Sequence, residues 1–327
     1  MAELRWNPLL KDWTIVAGHR QNRPDMPKDY CPFCPGSGKV PEAYDVHKYD
    51  NDFPALSQDP PFPYSEDSAL YKTKTAYGKC EVILYSPEHH ASICELSTEH
   101  IKKLVDLWQE RYEELSKDEK IKYIFTFENR GAEVGVTMPH PHGQIYGYSY
   151  LPLKLQKELQ NSKEFYEEHK KNLFDEMNKE EKRSGKRVIF ENEDFLVYLP
   201  FFTDYPYGVY IVSKSDLGSF SDFSESQKKV FSETLKKVTG MFDSLFDKKF
   251  PYMMGIYQVP VNSEAYKDAK DYYRFHIKFY PPMRGEKSIK YNASSETGAW
   301  ANANPRVVEE TAVELREALN KFLESGK

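Results

Sequence analysis

The sequence predicts an α+β fold made by duplication, each half an antiparallel sheet with packed helices. Three echoes carry this reading. The run Val82-Ile83-Leu84-Tyr85 followed by Glu95-Leu96-Ser97-Thr98-Glu99 returns as Val209-Tyr210-Ile211-Val212 followed by Asp222-Phe223-Ser224-Glu225-Ser226. Asn51-Asp52-Phe53 returns as Glu193-Asp194-Phe195. The strand-like stretch around His140 and His142 returns as Arg274-Phe275-His276-Ile277-Lys278-Phe279-Tyr280, so only the first copy keeps a histidine pair. The halves are expected to be residues 1–180 and 181–327.

Taken in order, residues 1–60 are rich in turn formers, with one short strand expected at Trp13-Thr14-Ile15-Val16. Arg20 and Arg23 follow it, and two guanidiniums three apart can grip a diphosphate or simply be solvated. Cys31-Pro32-Phe33-Cys34 could be a redox pair, half of a metal site or an accident. Redox use wants a helix N-terminus after the pair to lower the thiol pKa, and Pro35-Gly36-Ser37-Gly38 opposes a helix there. A tetrahedral zinc site needs about four ligands, so two would come from elsewhere. Lys79 to Tyr85 reads as a strand, and Ser97 caps an amphipathic helix to about Ser116 with apolar Ile101, Leu104, Val105, Leu107, Trp108 and Leu115. Cys80 and Cys94 read as core. Tyr123 to Glu128 and Ile145 to Tyr150 are strands. Leu153 to Arg183 is charged and helical by pattern, an exposed connector. The stretch from Lys290 to Asn302 reads as a polar loop before a last helix from Pro305 to about Phe322.

Bulk properties narrow the function. The formal charge of −6, from 45 basic and 51 acidic residues, argues against a general nucleic-acid or membrane-surface binder, so phosphate has to be held locally. The charged N-terminus Met1-Ala2-Glu3-Leu4-Arg5-Trp6 has no signal-peptide core, and no run of about 18 apolar residues occurs. A soluble, cytoplasmic protein is expected. Four cysteines are too few for a disulfide scaffold at this length.

The richest stretch is Met138-Pro139-His140-Pro141-His142-Gly143-Gln144. A strand period of two sends His140 and His142 to one face, with Pro141 stiffening the backbone between them. Two such imidazoles can divide labour, one binding a metal and the other doing chemistry.

Pro-His-Pro-His-Gly-Gln resembles the His-x-His-x-Gln signature of the galactose-1-phosphate uridylyltransferase family, a branch of the histidine triad superfamily. Asn7-Pro8, His19-Arg20 through Arg23-Pro24, Asn51-Asp52-Phe53, Ser86-Pro87-Glu88-His89, Phe127-Glu128-Asn129 and His276 through Pro282 resemble further family segments in the expected order, covering nearly the whole chain. The resemblance implies two fused histidine-triad-like units, the second with a degenerate motif. It implies a metal, zinc or else iron, on Cys31, Cys34, His89 and His140, with His90 an alternative to its neighbour. It implies substrate contacts from Arg20, Arg23, Asn51, Asp52, Phe53 and Asn129, and a hexose-phosphate loop with Lys290, Glu296 and Asn302. It also implies a homodimer with sites completed across subunits. Some members hold a second metal with a Glu and three histidines; Glu158 and His276 match, but Tyr257 and Lys278 replace two ligands. A second metal is therefore not expected, and the Lys278 ammonium is expected to stand beside Glu158 in its place.

The chemistry implied is double displacement. His142 attacks the α-phosphorus of UDP-glucose, releases glucose 1-phosphate, and passes the uridylyl group to galactose 1-phosphate. Imidazole, with an unperturbed pKa of about 6.5, is available as a nucleophile at neutral pH. A backbone carbonyl near His140 is expected to hold its other ring nitrogen. Hydrolytic histidine triad proteins carry a third His where Gln144 stands; an amide cannot protonate a leaving group but can donate hydrogen bonds to a non-bridging phosphoryl oxygen. An adenylyl transferase or phosphorylase acting on ADP-glucose would share the nucleophile, and a zinc-stabilised nucleotide-binding module would lack the covalent step.

Overall fold

The computed structural model describes residues 2–22, 30–65 and 67–326; Arg23 lies outside them. The first half supplies β1 (Ala2–Asn7), β2 (Asp12–Ala17), β3 (His47–Asp50), β4 (Thr73–Thr75), β5 (Gly78–Leu84), helix α1 (Thr98–Ser116), β6 (Tyr123–Arg130) and β7 (His142–Tyr148). Helices α2 (Leu153–His169) and α3 (Leu173–Ser184) join it to β8 (Val188–Glu191), β9 (Phe195–Tyr198), β10 (Tyr210–Ser213), α4 (Glu225–Leu245), β11 (Tyr252–Tyr257), α5 (Ala269–Tyr272) and β12 (His276–Tyr280). A hairpin of β13 (Met283–Gly285) and β14 (Ser288–Ile289), then α6 (Ser294–Ala299) and α7 (Val308–Glu324), complete the chain.

Nine strands form one antiparallel sheet in the order β3-β5-β7-β6-β11-β12-β10-β9-β8. Its seam is the pairing of β6 with β11, from Tyr252 opposite Arg130 to Ile256 opposite Thr126. Outward from that seam the two sides repeat: β6, β7, β5, β3 on one, and β11, β12, β10, β9 on the other. Register makes the repeat residue-specific. Gln144 lies between Phe127 and Val82, as Lys278 lies between Gly255 and Tyr210. Two residues earlier in each strand stand His142 and His276, so the pairs His142/His276 and Gln144/Lys278 occupy equivalent positions.

One face of the sheet packs on α1, α4 and α7. Ser97 caps α1, its hydroxyl accepting the His100 N–H at 3.1 Å, and the helix buries Ile101, Leu104, Val105, Trp108, Tyr112 and Leu115 at helical spacing. These meet Ile83, Ile124 and Ile145 from the strands in one continuous core that also holds Phe231, Leu235, Phe242, Leu315 and Leu319. Gly240 lets α4 and α7 approach, since a Cβ there would lie 2.3 Å from the Phe322 ring.

The opposite face is covered differently on its two halves. Over the second half, Leu155, Leu159, Phe174 and Tyr272 from α2, α3 and α5 bury Leu196, Tyr198, Val212 and Tyr257. Over the first half sit two smaller clusters: Leu4, Leu56, Ala76 and Cys80 beneath the β2-β1-β4 sheet, and Phe33, Val40, Val82, Leu84 and Met138 beneath the cysteine loop.

Five expectations need correction. Residues 1–60 hold β1 and β3 besides the expected strand, because Ala2 and Leu4 bury against Cys80 and Leu56. The segment 153–183 is two helices whose apolar sides cap the second half of the sheet, so it is no exposed connector. Most of its charge lies on the outer face, with Glu158 and Glu181 turned inward to Lys278 and Arg187. The polar loop after Lys290 contains α6, and the last helix begins at Val308, after the Pro305 turn. His140 precedes β7, leaving His142 as the first residue of the strand.

Candidate active site and metal centre

Among the described residues, Cys31, Cys34, His89 and His140 gather with their ligand atoms all within 4.8 Å of one another. Cys34 Sγ is 3.3 Å from His89 Nδ1 and 3.6 Å from His140 Nδ1, and Cys31 Sγ is 3.7 Å from His140 Nδ1. Tetrahedral zinc with bonds of about 2.3 Å to sulfur and 2.0–2.1 Å to nitrogen sets S···N separations near about 3.6 Å, so the group fits a four-coordinate ion. The outer nitrogen of His140 donates to the Ser86 carbonyl at 2.9 Å and lies 3.1 Å from the Tyr44 hydroxyl, which fixes Nδ1 as the inward atom. Burial holds His140 down at about 4 and pushes the Cys34 thiol, beside Cys31, up to about 11. The imidazole is thus ready to ligate, whereas an ion would have to displace the Cys34 proton. His90 touches the His89 ring edge-on at 4.5 Å but is outside the group.

His142 begins immediately beyond this cluster. Its Nδ1–H donates to the His140 carbonyl at 2.7 Å, the carbonyl the sequence led one to expect, and this tautomer leaves the lone pair on Nε2. Phe33, from inside the Cys-x-x-Cys loop, meets His140 and His142 edge-on at 6.0 and 5.8 Å. The metal loop therefore braces the ring as well as the backbone of His142. Along β7 burial alternates, with His142, Gln144, Tyr146 and Tyr148 half-buried on one face.

The other expected residues sort into two places. Arg20 lies beside Tyr146 and Cys80, whose proton affinities it lowers, and so stands on the His142 face two residues beyond Gln144. Extending the β6–β7 register puts Asn129 opposite His142 on that same face. Asn51 and Asp52 follow β3; Asn51 Oδ1 caps the Phe53 N–H at 2.9 Å, and Asp52 accepts the Tyr49 hydroxyl at 2.8 Å with Lys39 at 3.3 Å. His19 ties the Arg20 turn to this loop through the Pro54 carbonyl at 3.0 Å. Lys290 lies near β12, Glu296 sits in α6, and Asn302 is exposed after it. Lys290 bonds Asn292 at 3.0 Å and covers the Tyr205 ring, which in turn contacts Tyr280 of β12. Strand β12 is three strands from β7, about 14 Å at the usual spacing. Glu296 caps α6 through the Ala293 N–H, and Tyr291 and Trp300 in this loop are 75% and 61% exposed.

At the equivalent place in the second half, His276 repeats the first-half hydrogen bond, its Nδ1–H donating to the Arg274 carbonyl at 2.8 Å. It is fully buried, stacked on Tyr257 at 4.9 Å and against Phe174 at 4.6 Å. Lys278 Nζ lies 2.5 Å from Glu158 Oε1, with the Tyr273 hydroxyl on Oε2 at 3.3 Å. The expected ammonium–carboxylate pair is thus formed.

Phe33 and Tyr44 were not foreseen. Phe33 was visible only as the filler of a Cys-x-x-Cys, and Tyr44, whose hydroxyl donates to the Phe33 carbonyl at 2.6 Å, carries no local signal.

Residues 1–152 match the N-terminal domain model, and residues 158–293 the C-terminal domain model, of galactose-1-phosphate uridyl transferase. The galactose-1-phosphate uridylyltransferase of Thermotoga maritima is 41% identical over 318 residues, covering 97% of this chain and 98% of that protein. Its Saccharomyces cerevisiae counterpart is 31% identical, covering 88% and 86%. Among solved structures, a uridylyltransferase superposes with a TM-score of 0.90 at 30% identity over 98% of this chain and 99% of that one. An ADP-glucose phosphorylase from Arabidopsis thaliana with bound ADP-glucose shares the fold, with a TM-score of 0.73 at 22% identity over 97% and 99%.

Proposed function

The chain belongs to the galactose-1-phosphate uridyl transferase family, and from that premise we propose that it exchanges a uridylyl group between UDP-glucose and galactose 1-phosphate through His142. The observation that carries the reading is the tautomer lock: the Nδ1–H bond to the His140 carbonyl aims a lone pair outward on the half-buried face that also bears Gln144. In the first half-reaction, His142 Nε2 bonds to the α-phosphorus and the bond from that phosphorus to the bridging oxygen breaks, releasing glucose 1-phosphate. In the second, a phosphate oxygen of galactose 1-phosphate bonds to the same phosphorus and the P–N bond breaks, restoring the imidazole. A sugar phosphate leaves as a stable anion, so no acid is required at position 144. The Gln144 amide donates to a non-bridging oxygen, and Arg20 and Arg23 balance the diphosphate charge.

Asn51, Asp52, Phe53 and Asn129 are assigned to the nucleoside and phosphate contacts. Lys290, Glu296 and Asn302 are assigned to the hexose phosphate. Their distance from His142 within one chain favours a homodimer in which each subunit's exposed loop enters its partner's site. Zinc, or iron in its place, held by Cys31, Cys34, His89 and His140, would supply a rigid anchor for the loop that bears His142; four protein ligands leave no open position for substrate. Free thiols among its ligands suit a reducing, cytoplasmic setting.

Donor and acceptor competition tests the assignment. UDP-glucose with galactose 1-phosphate is expected to turn over, against a background rate for ADP-glucose with inorganic phosphate. The reverse preference would transfer the chain to the phosphorylase reading, and binding without turnover of either pair would make it a nucleotide-binding module.

A further inference from the structure

Behind β7, on the helix-covered face of the sheet, lies an acid that the transfer chemistry does not use. Glu128 projects from β6 away from Phe127 and Asn129 and is 6% exposed. Its Oε1 accepts the Tyr252 hydroxyl at 3.2 Å across the seam. Its Oε2 has no hydrogen-bond partner among the described residues, and neither does the nearby Tyr85 hydroxyl. The charged group closest at hand, Arg130, is engaged by Asp243 of α4 through two bonds of 2.7 and 2.8 Å, and Cys94 adds a thiol on Asp243. A carboxylate with an unmet oxygen among these groups is costly, so the neutral acid is the form that fits. Burial pushes Glu128 up to about 7, with Arg130 and the Tyr252 and Tyr85 hydroxyls pulling the other way.

Tyr85 links this acid to the reactive strand. Its N–H donates to the Pro141 carbonyl at 3.0 Å, and its hydroxyl presses on Gly143, where a Cβ would lie 2.1 Å from the oxygen. It therefore grips the chain one residue before and one residue after His142. The ring is itself fixed, with its carbonyl accepting His100 Nε2–H at 2.7 Å and its edge against Trp108 at 5.8 Å.

We propose that Glu128 and Tyr85 are a positioning pair for the transfer: the neutral carboxyl stands behind the phenol hydroxyl, which presses on Gly143 and so fixes His142 and Gln144 relative to one another. Gly143 joins those two residues, and displacements of about 1 Å at reacting groups can cost on the order of 10²-fold in rate. Ionisation of Glu128 makes it a stronger acceptor for the Tyr85 hydroxyl, which draws that hydroxyl off Gly143 and loosens its grip on the strand. The inference rests on the roles proposed for His142 and Gln144.

The test follows single-turnover uridylylation from UDP-glucose against pH, with infrared spectra of the same samples. Wild type is expected to slow about tenfold between pH 6.5 and 8.5, and Glu128→Gln, which cannot ionise, to lose that decline. Tyr85→Phe is expected to lower kcat about tenfold with KM unchanged, and to shift a protonated-carboxyl C=O band that disappears from wild type at high pH. An unchanged pH decline in Glu128→Gln sinks the proposal. If that variant does not fold, the absence of such a band in wild type, or its indifference to Tyr85→Phe, does the same. Failure of wild type to form any adduct, with the band present, removes the transfer reading and this inference with it.

Discussion

Two strands at equivalent places in one sheet have opposite surroundings. Along β7 every second residue is half-buried, whereas β12 is buried at four of its five positions. Both begin with a histidine whose Nδ1–H is held by the carbonyl two residues back, at 2.7 and 2.8 Å. The backbone device that fixes the Nδ1–H tautomer is thus present twice. What differs is the cover: α2, α3 and α5 seal the second half, with Phe174 of α3 against the His276 ring, while Phe33 of the cysteine loop meets the His142 ring without burying it. Imidazole tautomer and direction are properties of the repeated strand, and access is a property of what each half packs on it.

The comparison breaks most sharply at the histidines. His142→Asn is expected to abolish adduct formation and lower turnover by as much as about 10⁶-fold, the order seen when a nucleophile is removed from a catalytic unit. His276→Asn should still form the adduct, losing stability in thermal unfolding. Labelling of His276 in the wild type would reverse the contrast.

Next come the residues two positions on. Gln144→Ala is expected to slow both half-reactions by about 10²–10³, equivalent to about 2.7–4 kcal/mol, with unchanged melting. Lys278→Ala strands Glu158 and is expected to cost about 3 kcal/mol of stability, the low end for a broken buried pair because Glu158 keeps some solvent. Lys278→Met combined with Glu158→Gln should recover most of that loss, which denaturant titration measures; no recovery would mean the pair is not the source of the effect.

These contrasts also mark what the sequence could and could not disclose. The duplication and α1 with its Ser97 cap were legible because each is local or periodic, whereas the four metal-ligand candidates came together only through the family resemblance, and register ties His142 to His276. The cover over the second half was not legible. The 153–183 segment is dominated by its charged outer face, and its buried positions, Leu155, Leu159 and Phe174, are too few to stand out. Nor does sequence disclose that Lys290 sits beside Tyr205 and Tyr280, since that placement depends on Tyr205, far away in the chain.

Removing one metal ligand sharpens the contrast from the other side. Cys34→Ser is expected to lower bound metal measured by elemental analysis and to reduce Tm, with uridylylation falling in step because Phe33 and the His140 carbonyl lose their anchor. Full metal content in that variant would remove Cys34 from the ligand set.

The last expected effect concerns pH and the seam between the halves. Glu128 takes up a proton more readily folded than unfolded, its pKa rising from 4.5 to about 7, so its contribution to stability is present below 4.5 and is lost as pH rises toward 7. His140 and His276, held neutral by burial, act oppositely, losing stability as pH falls below 6.5. The sum is therefore shallow, and the difference between wild type and Glu128→Gln isolates the acid: the variant should gain about 3 kcal/mol on wild type between pH 4.5 and 7. A pH-independent difference would mean that Glu128 does not titrate there.

The central claim is tested most directly by exposing the protein to UDP-glucose labelled in the α-phosphate, denaturing it at once, and mapping the labelled peptide. The account predicts acid-labile label on His142, discharged by galactose 1-phosphate before the quench. Label on any other residue, or exchange of label into product with none ever retained on the protein, would contradict it.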